Sequence, residues 1–418
     1  MHAVVATVGT DGDVFPYLAL ATALKSRGHR VTFVCSSGYE KEARHRGLEF
    51  RSLVDQTELT AWFRDPDFWH PTRHALVAAR WGTSSIEAQY EVMRTFAEDE
   101  QAVMITSPAV MGARLVQERF ERPLINVILQ PWLIPSNIVP PLLPVVSLPP
   151  GLPAFMGDAF WWVVDLVGDR LVGVPLNKVR RKLGLKPIRK ALRWWFSPQR
   201  IIGLFPDWYG PPQTDWPRQI RLTGFVTDDG RTHATLPEDL RRECLESPPL
   251  VFTFGTEMQA AAMLFAAGIE ACRLLNRRAL ILTKYPHQLL QPLPDHVRHI
   301  EYAPFSQLFP LCAAVVHHGG IGTTARCLQA GAPQLIAPFA FDQRDNAARV
   351  QRLGVGGALP RGRWTARDLA AALEPLLQPE VKQRCETLRE KANLDGTTVA
   401  VEHIEQLAKA FTGGWRSD

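Results

Sequence analysis

Residues 313–328, AAVVHHGGIGTTARCL, indicate the fold, because a buried strand, a glycine-rich turn and the start of a helix follow one another directly. The apolar run at residues 313–317 predicts the strand, and Gly319, Gly320 and Gly322 let the backbone turn and approach a ligand closely. The helix that follows directs unpaired backbone N–H groups and the positive end of its dipole toward the turn. The stretch therefore predicts a βα unit with an anion-binding turn.

Short apolar runs alternate with helical patterns on both sides of this stretch, which is typical of parallel sheets covered by helices. In the first half, these runs predict strands at residues 3–9, 31–35, 103–106, 124–129 and 201–205, with helices from Tyr17 and near residues 39–46. In the second half, they predict strands at residues 250–254, 279–283, 313–317 and 334–337, and a final helix at residues 397–411. We therefore expect two successive α/β units.

The length of 418 residues also favours two domains, since one ordinary core does not organise so long a chain. We expect an N-terminal domain over residues 1–230, a polar linker over residues 231–248 and a C-terminal domain over residues 249–395. Residues 396–418 are expected to form a helix that packs back toward the N-terminal domain. The predicted fold class is α/β, with two Rossmann-like domains facing across a cleft.

The composition argues against several classes of protein. Hydrophobic residues at 46% and charged residues at 21% are typical of a folded chain. The formal charge of +5 is small for this length, so we expect no nucleic-acid partner. The six cysteines lack zinc-site spacing, and neither a signal peptide nor a run of about 18 apolar residues is present. We expect a cytoplasmic protein, with peripheral membrane contact left open.

Polar side chains surround the predicted glycine turn. His318, Thr323 and Thr324 place hydrogen-bond donors at the entrance of the helix, and a histidine held near phosphate can carry positive charge. Asp342 and Gln343 follow the next strand, where a carboxylate and an amide can bind adjacent sugar hydroxyls. The alternative for the glycine turn is a purely structural turn capped by a threonine. The alternative for Asp342 and Gln343 is an ordinary helix N-terminus.

The order of Tyr302-Ala-Pro304, the glycine turn and Asp342-Gln343 resembles the nucleotide-sugar signature of the UDP-glycosyltransferase superfamily, which has the GT-B fold. Residues 9–16, GTDGDVFP, resemble the corresponding loop of sterol glucosyltransferases and of bacterial rhamnolipid rhamnosyltransferases. Residues 204–217, LFPDWYGPPQTDWP, are similar to the rhamnosyltransferases especially. The resemblance covers nearly the whole chain and implies an acceptor-binding N-terminal domain and a nucleotide-sugar-binding C-terminal domain.

The resemblance also implies roles for individual residues. The turn with His318 would bind the diphosphate, Tyr302 would stack on the base, and Asp342 and Gln343 would contact the sugar. One departure is Arg326, which occupies the place of a ribose-binding Glu in plant members and leaves open the choice between a uridine and a thymidine donor. The full set of implied donor-binding residues is Gly12, Thr256, Tyr302, His318, Gly320, Gly322, Thr323, Thr324, Asp342 and Gln343.

Asp13 is the implied catalytic residue, because it stands where other superfamily members have a catalytic His. As a general base it would take the proton of an acceptor hydroxyl while that oxygen attacks the anomeric carbon, which inverts the configuration. Residues 105–107, where many relatives carry the acidic partner of the His, contain no acid. A carboxylate has no tautomer to be fixed, so an Asp base does not need the acidic partner that a His base has. The absence of an acid at residues 105–107 therefore agrees with the assignment of Asp13 as the base. The resemblance implies neither a cofactor nor a metal, and the nucleotide sugar is a substrate.

Aromatic residues in two insertions are candidates for an acceptor pocket or for core packing. The candidate acceptor is a small lipophilic molecule with a hydroxyl, such as a sterol, hydroxy fatty acid or polyketide, and the candidate donors are UDP-glucose and dTDP-rhamnose. Residues 178–196 mix basic residues with tryptophan, which is typical of a surface helix or of a segment that contacts anionic lipid. The pocket residues named on this basis are Trp62, Phe68, Trp69 and Trp132.

The sequence allows four other interpretations. Asp11-Gly-Asp13 could be an ordinary polar βα turn in which an aspartate serves as the helix N-cap. Asp11-Gly-Asp13 spells a D-x-D metal motif, but this one ends the first strand instead of lying well into the chain. A nicotinamide site lacks support because the first turn has no third glycine and the second strand ends without an acid at Cys35-Ser-Ser. A superfamily member that binds a nucleotide sugar or a lipid without turnover is the non-enzymatic alternative, disfavoured by retention of the base and the turn.

Overall fold

The structure is a computed structural model that describes residues 1–70, 72–143, 146–149, 151–226, 228, 235–255, 261–360, 362 and 364–412. The chain forms two compact units. Unit 1 comprises Met1–Gly230 and Asp395–Asp418, and unit 2 comprises Arg231–Leu394.

In the described part of unit 1, seven parallel strands form one sheet in the order β3-β2-β1-β4-β5-β6-β7. The strands are β1 His2–Ala6, β2 Arg30–Ser36, β3 Glu49–Val54, β4 Ala102–Thr106, β5 Leu124–Ile128, β6 Arg200–Gly203 and β7 Ile220–Leu222. The helices are α1 Asp11–Ser26, α2 Glu40–His45, α3 Gln56–Arg64, α4 His74–Ser84, α5 Ile86–Arg94, α6 Met111–Phe120, α7 Ala154–Gly168, α8 Val174–Lys182, α9 Ala191–Trp194 and, from the C-terminal segment, α17 Gly396–Thr412.

In the described part of unit 2, six parallel strands have the order β10-β9-β8-β11-β12-β13. The strands are β8 Leu250–Thr253, β9 Ala279–Leu282, β10 Val297–Ile300, β11 Ala314–His317, β12 Gln334–Ile336 and β13 Gly356–Ala358. The helices are α10 Glu238–Glu246, α11 Ala262–Leu274, α12 Phe305–Leu308, α13 Ile321–Ala330, α14 Gln343–Arg352, α15 Ala366–Leu373 and α16 Pro379–Ala392. Both strand orders are those of doubly wound nucleotide-binding sheets.

The interior strands form where the apolar runs predicted them, because a strand covered by helices on both faces needs apolar side chains at every position. Every residue of β1 is buried, as is every residue of β8 and β11. The predicted parallel α/β fold is confirmed. Four strands escaped prediction, namely β3, β7, β10 and β13, and these are the edge strands of the two sheets.

Helix α1 begins at Asp11, six residues before the predicted start at Tyr17. Thr10 and Asp13 form a capping box in which each residue satisfies a backbone N–H of the other. Pro16 lies inside the helix, where it lacks the N–H that would bond to the Gly12 carbonyl. The cap stabilises the first turn in spite of this loss, so the helix starts before the proline. Asp13 therefore lies in a helix and not in a loop.

The predicted linker at residues 231–248 is partly helical. Helix α10 occupies its second half, and Leu240 and Cys244 are buried in the core of unit 2 with Phe309. The C-terminal helix α17 belongs to unit 1, where Glu405 accepts hydrogen bonds from Arg27 at 2.8 Å and from His29 at 2.9 Å.

Two glycines meet where the chain leaves and re-enters unit 1. A Cβ added to Gly396 would lie 2.8 Å from Gly224 Cα and closer still to its carbonyl group. The two backbone segments therefore pass each other in direct contact.

Across the described residues, no helix combines the length and the apolarity that crossing a lipid bilayer requires.

Candidate active site

The Asp13 carboxylate is fixed by the residue that caps its helix. Asp13 Oδ2 accepts hydrogen bonds from the Thr10 backbone N–H at 3.0 Å and from the Thr10 hydroxyl at 3.1 Å. The backbone carbonyl of Asp13 accepts a further bond from the Thr7 hydroxyl at 3.1 Å. Among the described residues, none donates a hydrogen bond to the second oxygen, Oδ1. One oxygen is thus held in place while the other remains able to accept a proton.

Burial raises the pKa of the Asp13 carboxyl above its ordinary value, the two Thr10 hydrogen bonds oppose the rise, and the charge of Asp11 adds to it. A carboxylate with a raised pKa binds a proton more strongly than an exposed aspartate does. The environment of Asp13 therefore makes it a stronger base than the sequence alone suggests.

Gly9 leaves room for this carboxylate. Its backbone has φ +147°, and an added Cβ would lie 2.6 Å from Asp13 Cβ and closer still to Oδ2. The neighbouring Asp11 is held separately, since its Oδ1 accepts a hydrogen bond from the Tyr39 hydroxyl at 2.7 Å. Gly12 lies exposed in the first helical turn with nothing close to it but Thr10.

In unit 2, the glycine turn joins β11 to α13 as predicted. Gly319 has φ +95°, which a side chain rarely tolerates, and an added Cβ would lie 2.5 Å from Ile336 Cγ2. The Gly319 N–H donates to His317 Nδ1 at 3.1 Å, and His317 Nε2 lies 3.0 Å from Gln334 Oε1. Burial lowers the pKa of His317 to about 3. His317 is therefore a neutral structural residue that shapes the turn.

His318 lies between two glycines. An added Cβ would lie 2.6 Å from His318 Nε2 if placed on Gly320, and 3.1 Å from Cε1 if placed on Gly255. Its Nδ1 is buried and has no hydrogen-bond partner among the described residues. Burial lowers the pKa of His318 to about 4, so the ring is neutral at pH 7, which differs from the positive charge considered above. The ring brings an unsatisfied polar atom to the turn.

Thr323 and Thr324, both predicted to bind the diphosphate, have different surroundings in the first turn of α13. Gly322 and Thr323 are partly exposed, and the N–H groups of residues 321–323 have no acceptor within their own helix. Thr324 is fully buried, and its hydroxyl donates to the Gly320 carbonyl at 3.0 Å. Thr324 therefore supports the helix from inside, which corrects the expectation that its hydroxyl faces a diphosphate.

Asn346 connects the turn to the second predicted group. Its side-chain Nδ2 donates to the Gly319 carbonyl at 2.9 Å and to Asp342 Oδ2 at 2.6 Å. Gln343 uses its Oε1 to accept from the Phe339 N–H at 2.6 Å and from the Ala340 N–H at 3.0 Å. Two motifs 23 residues apart in the sequence thus form one continuous group, and sequence reasoning did not name Asn346 as the link.

Three further positions were named from the sequence as part of the donor site, and the structure describes two of them. Tyr302 is partly exposed in the turn that follows β10. Arg326 directs its Nη1 to Gln329 Oε1 at 3.1 Å. Thr256 lies outside the described residues.

The predicted acceptor aromatics mostly form a core. Trp62 is buried with Leu59 and Phe63, and Phe68, Trp69 and Trp81 pack against this cluster. The Trp62 and Trp81 rings stack with centroids 5.3 Å apart, and Trp69 Nε1 donates to the Phe63 carbonyl at 3.0 Å. The Nε1 atoms of Trp62 and Trp81 are buried without a hydrogen-bond partner among the described residues. These aromatic residues therefore form a packed cluster, and their role in an acceptor pocket stays a prediction.

Trp132 is separate from that cluster. It is partly exposed, and its Nε1 donates to the Leu142 carbonyl at 3.2 Å within the proline-rich segment.

Two family models match the chain. The glycosyltransferase family 28 N-terminal domain matches residues 3–136, which contain Asp13. The C-terminal domain of the erythromycin biosynthesis protein CIII-like family matches residues 278–404, which contain the glycine turn and Asp342.

Known proteins resemble the chain over almost its whole length. Sterol 3-beta-glucosyltransferase UGT80B1 of Arabidopsis thaliana is 29% identical over 94% of the chain, which spans 66% of that longer protein. Glycosyltransferase GtfE of Amycolatopsis orientalis is 28% identical over 96% of both chains. The solved structure of glycosyltransferase VinC in complex with dTDP superposes with a TM-score of 0.71 over 98% of this chain and 100% of that one, at 19% identity. The chain thus combines a glycosyltransferase family 28 N-terminal domain with a C-terminal domain of the erythromycin biosynthesis protein CIII-like family, and it is a glycosyltransferase with the two-domain α/β fold of the GT-B enzymes.

Proposed function

We propose that the protein transfers a hexose from a nucleotide diphosphate sugar to a hydroxyl of a small lipophilic acceptor, with inversion at the anomeric carbon and without a metal ion. The observation that carries the proposal is the amide of Asn346, which bonds to both the Gly319 carbonyl and the Asp342 carboxylate. The diphosphate and the sugar of such a donor are covalently adjacent. A protein that binds both therefore needs an anion-binding turn and a sugar-binding carboxylate next to each other.

The diphosphate binds at the N-terminus of α13 in this proposal. The free N–H groups of residues 321–323, the positive end of the helix dipole and the Thr323 hydroxyl supply donors. His318 adds the buried Nδ1, which has no other partner among the described residues. These groups stabilise the charge that develops on the diphosphate as its bond to the anomeric carbon breaks.

Asp13 acts as the general base. Its Oδ1 accepts the proton of the acceptor hydroxyl while the hydroxyl oxygen forms a bond to the anomeric carbon and the bond to the diphosphate breaks. Thr10 holds Oδ2 and so orients Oδ1 for this transfer. Because the attack and the departure occur on opposite faces of the sugar, the product has inverted configuration.

Two relatives support the choice of substrates. The plant relative is named for a sterol acceptor and a glucosyl group. The superposed VinC structure holds dTDP. We propose UDP-glucose and dTDP-rhamnose as the donor types to test, and sterols, hydroxy fatty acids and polyketides as acceptors.

The test uses the purified chain with EDTA, a panel of UDP-glucose, UDP-galactose and dTDP-rhamnose, and pooled acceptors of these three classes. Products are identified by mass, and the anomeric configuration of any product is determined by NMR. Asp13→Asn is the central variant, because an asparagine oxygen can still accept the Thr10 hydrogen bonds while the base is lost. Asp11→Asn is the matched control, since it removes a neighbouring charge and keeps Asp13.

We expect transfer in EDTA with inverted configuration, and a loss of roughly 10²–10⁴-fold in kcat for Asp13→Asn alone. Dependence on a divalent cation, or a product of retained configuration, would contradict the mechanism. Binding of a nucleotide sugar without transfer to any acceptor would contradict the proposed acceptor class.

A further inference from the structure

Helix α7 presents an apolar face to solvent. Six large apolar side chains on this helix are between 42% and 70% exposed. They recur at intervals of three and four residues, which places them along one side of a helix. Within residues 151–226, all of which the structure describes, this is the largest run of exposed apolar side chains. The six residues, here called the α7 face, are Phe155, Met156, Trp162, Val163, Leu166 and Val167.

The opposite side of α7 is firmly packed, so the α7 face is not the result of a detached helix. Trp161 is buried, and its Nε1 donates to the Ser136 carbonyl at 3.2 Å. Asp165 Oδ2 forms an ion pair with Arg193 at 3.0 Å. Gly168 allows the close approach of Leu192, since an added Cβ would lie 2.7 Å from Leu192 Cδ1. The helix is therefore anchored along one side, and it meets solvent with apolar side chains along the other.

The α7 face continues into a basic region. A π-helical turn at Asp169–Gly173 connects α7 to α8 without leaving helical backbone angles. On α8, the exposed Val174 is followed at four and seven residues by the exposed Lys178 and Arg181, so apolar side chains give way to cationic ones.

Charge in this region has one dominant sign. Residues 154–193 contain nine basic and three acidic side chains. Three of the basic side chains form ion pairs, Arg180 with Glu118, Lys182 with Glu87 and Arg193 with Asp165. Each of the three acids accepts a hydrogen bond within unit 1: Asp158 from Asn137, Asp165 from Arg193, and Asp169 from the backbone of Lys190 and Ala191.

The aromatic residues of the segment 178–196 lie elsewhere. Trp194 stacks between the guanidinium groups of Arg114 and Arg180, at 5.1 and 5.2 Å from its ring centroid, and its Nε1 donates to Glu118. Phe196 is buried. Trp195, the second tryptophan of the segment, packs against Phe196 with ring centroids 5.9 Å apart. Both tryptophans are therefore engaged by the protein, and the exposed apolar side chains are on α7.

We propose that the α7 face is a docking surface for an anionic lipid bilayer, with the apolar side chains inserted at the headgroup boundary and the basic end of α8 against the headgroups. Charge complementarity selects this occupant, because exposed basic side chains such as Lys178 and Arg181, which form no ion pair among the described residues, border the apolar stripe. A helix that lies in the plane of a membrane interface has this combination of an apolar face and adjacent cations. The inference does not depend on the proposed donor, acceptor or mechanism.

The experiment measures flotation of the full chain with vesicles of phosphatidylcholine containing about 30% phosphatidylglycerol, and with vesicles of phosphatidylcholine alone. The apolar variant is Phe155→Ser/Trp162→Ser/Leu166→Ser. Its control is Leu76→Ser/Leu245→Ser/Leu290→Ser, which changes three exposed leucines elsewhere. The charge variant is Lys178→Gln/Arg181→Gln/Lys182→Gln, and Lys41→Gln/Arg44→Gln/Arg51→Gln removes the same charge from another exposed region.

We expect the unmodified chain to float with the anionic vesicles, and the apolar and charge variants each to lose about tenfold or more in partition coefficient. Both controls should bind as the unmodified chain does, and thermal melts should show that all variants are folded. Absence of binding by the unmodified chain would overturn the proposal, as would equal losses in a variant and its control. Loss of a dimer by the apolar variant, without vesicle binding, would instead identify the face as a self-association surface.

Discussion

Gly9 and Asp13 are in such close contact that residue 9 cannot carry a side chain while the carboxylate keeps its position, because an added Cβ would lie 2.6 Å from Asp13 Cβ. We predict that Gly9→Ala lowers kcat by about 10²-fold through misplacement of the base, with little change in the affinity for nucleoside diphosphate. Steady-state kinetics and calorimetric titration measure the two effects. Gly28→Ala is the control, since Gly28 also has positive φ but nothing within 4 Å of an added Cβ. An equal loss of kcat in both variants would show that general backbone strain is responsible.

The acidic limb of the pH–rate profile should report Asp13. Activity requires the carboxylate, so it falls as pH decreases through the pKa of Asp13. Thr10→Val removes the hydroxyl that stabilises the charged form, and we predict that the pKa rises and the limb moves to higher pH. Thr10→Ser keeps the hydroxyl and should leave the limb in place. A limb that moves to lower pH in Thr10→Val would contradict this role.

Gly320 is predicted to act through His318, whose Nε2 would lie 2.6 Å from an added Cβ. Gly320→Ala and His318→Ala should each weaken nucleoside diphosphate binding by about tenfold, the effect of one hydrogen bond. In the double variant the two losses of binding free energy should not add, because Gly320→Ala has no ring left to displace once His318 is replaced by alanine. Calorimetric dissociation constants for the four proteins complete the cycle. Fully additive losses would mean that Gly320 affects binding independently of His318.

Asn346→Ala should damage donor binding as well as stability. The substitution leaves the Gly319 carbonyl and the Asp342 carboxylate without this donor in a buried site, at a cost of about 1–3 kcal/mol. We expect a higher KM for the nucleotide sugar because the turn and the carboxylate lose their connection. Asn393→Ala is the control: Asn393 also bonds two carbonyls, of Gln329 and Arg389, at 2.8 Å. It should lose stability and keep the KM, and a raised KM in both variants would refute the specific role of Asn346.

The C-terminal helix should stabilise unit 1 in a pH-dependent way. Hydrogen bonds from Arg27 and His29 lower the pKa of Glu405 to about 2, below its unfolded value. The stabilisation is therefore complete above the unfolded pKa and is lost as pH falls toward 2. We predict that Glu405→Gln lowers the free energy of unfolding by about 1 kcal/mol at pH 7, since Arg27 is largely exposed, and that the difference shrinks below about pH 4. A difference that is unchanged by acid would exclude this ion pair as its source.

The fold could be predicted as far as strands are buried on both faces. Interior strands such as β1 and β11 are continuous apolar runs, and these runs are visible without a structure. The edge strands β3 and β13 have the sequences EFRSLV and GGA. They lack a continuous apolar run because an edge strand has a neighbouring strand on one side only and is less completely buried than an interior strand. Their pairing is a property of the sheet and leaves little trace in the local sequence.

The site was predictable where its chemistry is contiguous in sequence. The glycine turn and Asp13 stand next to recognisable strand ends. The contacts of His318 with Gly255 and of Asn346 with Gly319 join residues that are distant in the chain, so no local pattern shows them. The position of Trp62 could not be predicted, because a tryptophan that lines a pocket and one that packs in a core look alike in the sequence. Only the packing seen in the structure, where Trp62 lies in a buried cluster, distinguishes the two.

The contact between Gly224 and Gly396 has a consequence for engineering new specificities. Because α17 belongs to unit 1, a hybrid enzyme made by joining the first half of this chain to the second half of a relative would pair α1 with a foreign α17 and place a foreign residue against Gly224. Exchanging the internal segment 231–394 instead keeps both glycines and the native α1–α17 interface. A hybrid enzyme should therefore exchange unit 2 as an internal segment, with one junction at each end, and should not exchange the whole C-terminal half at a single junction.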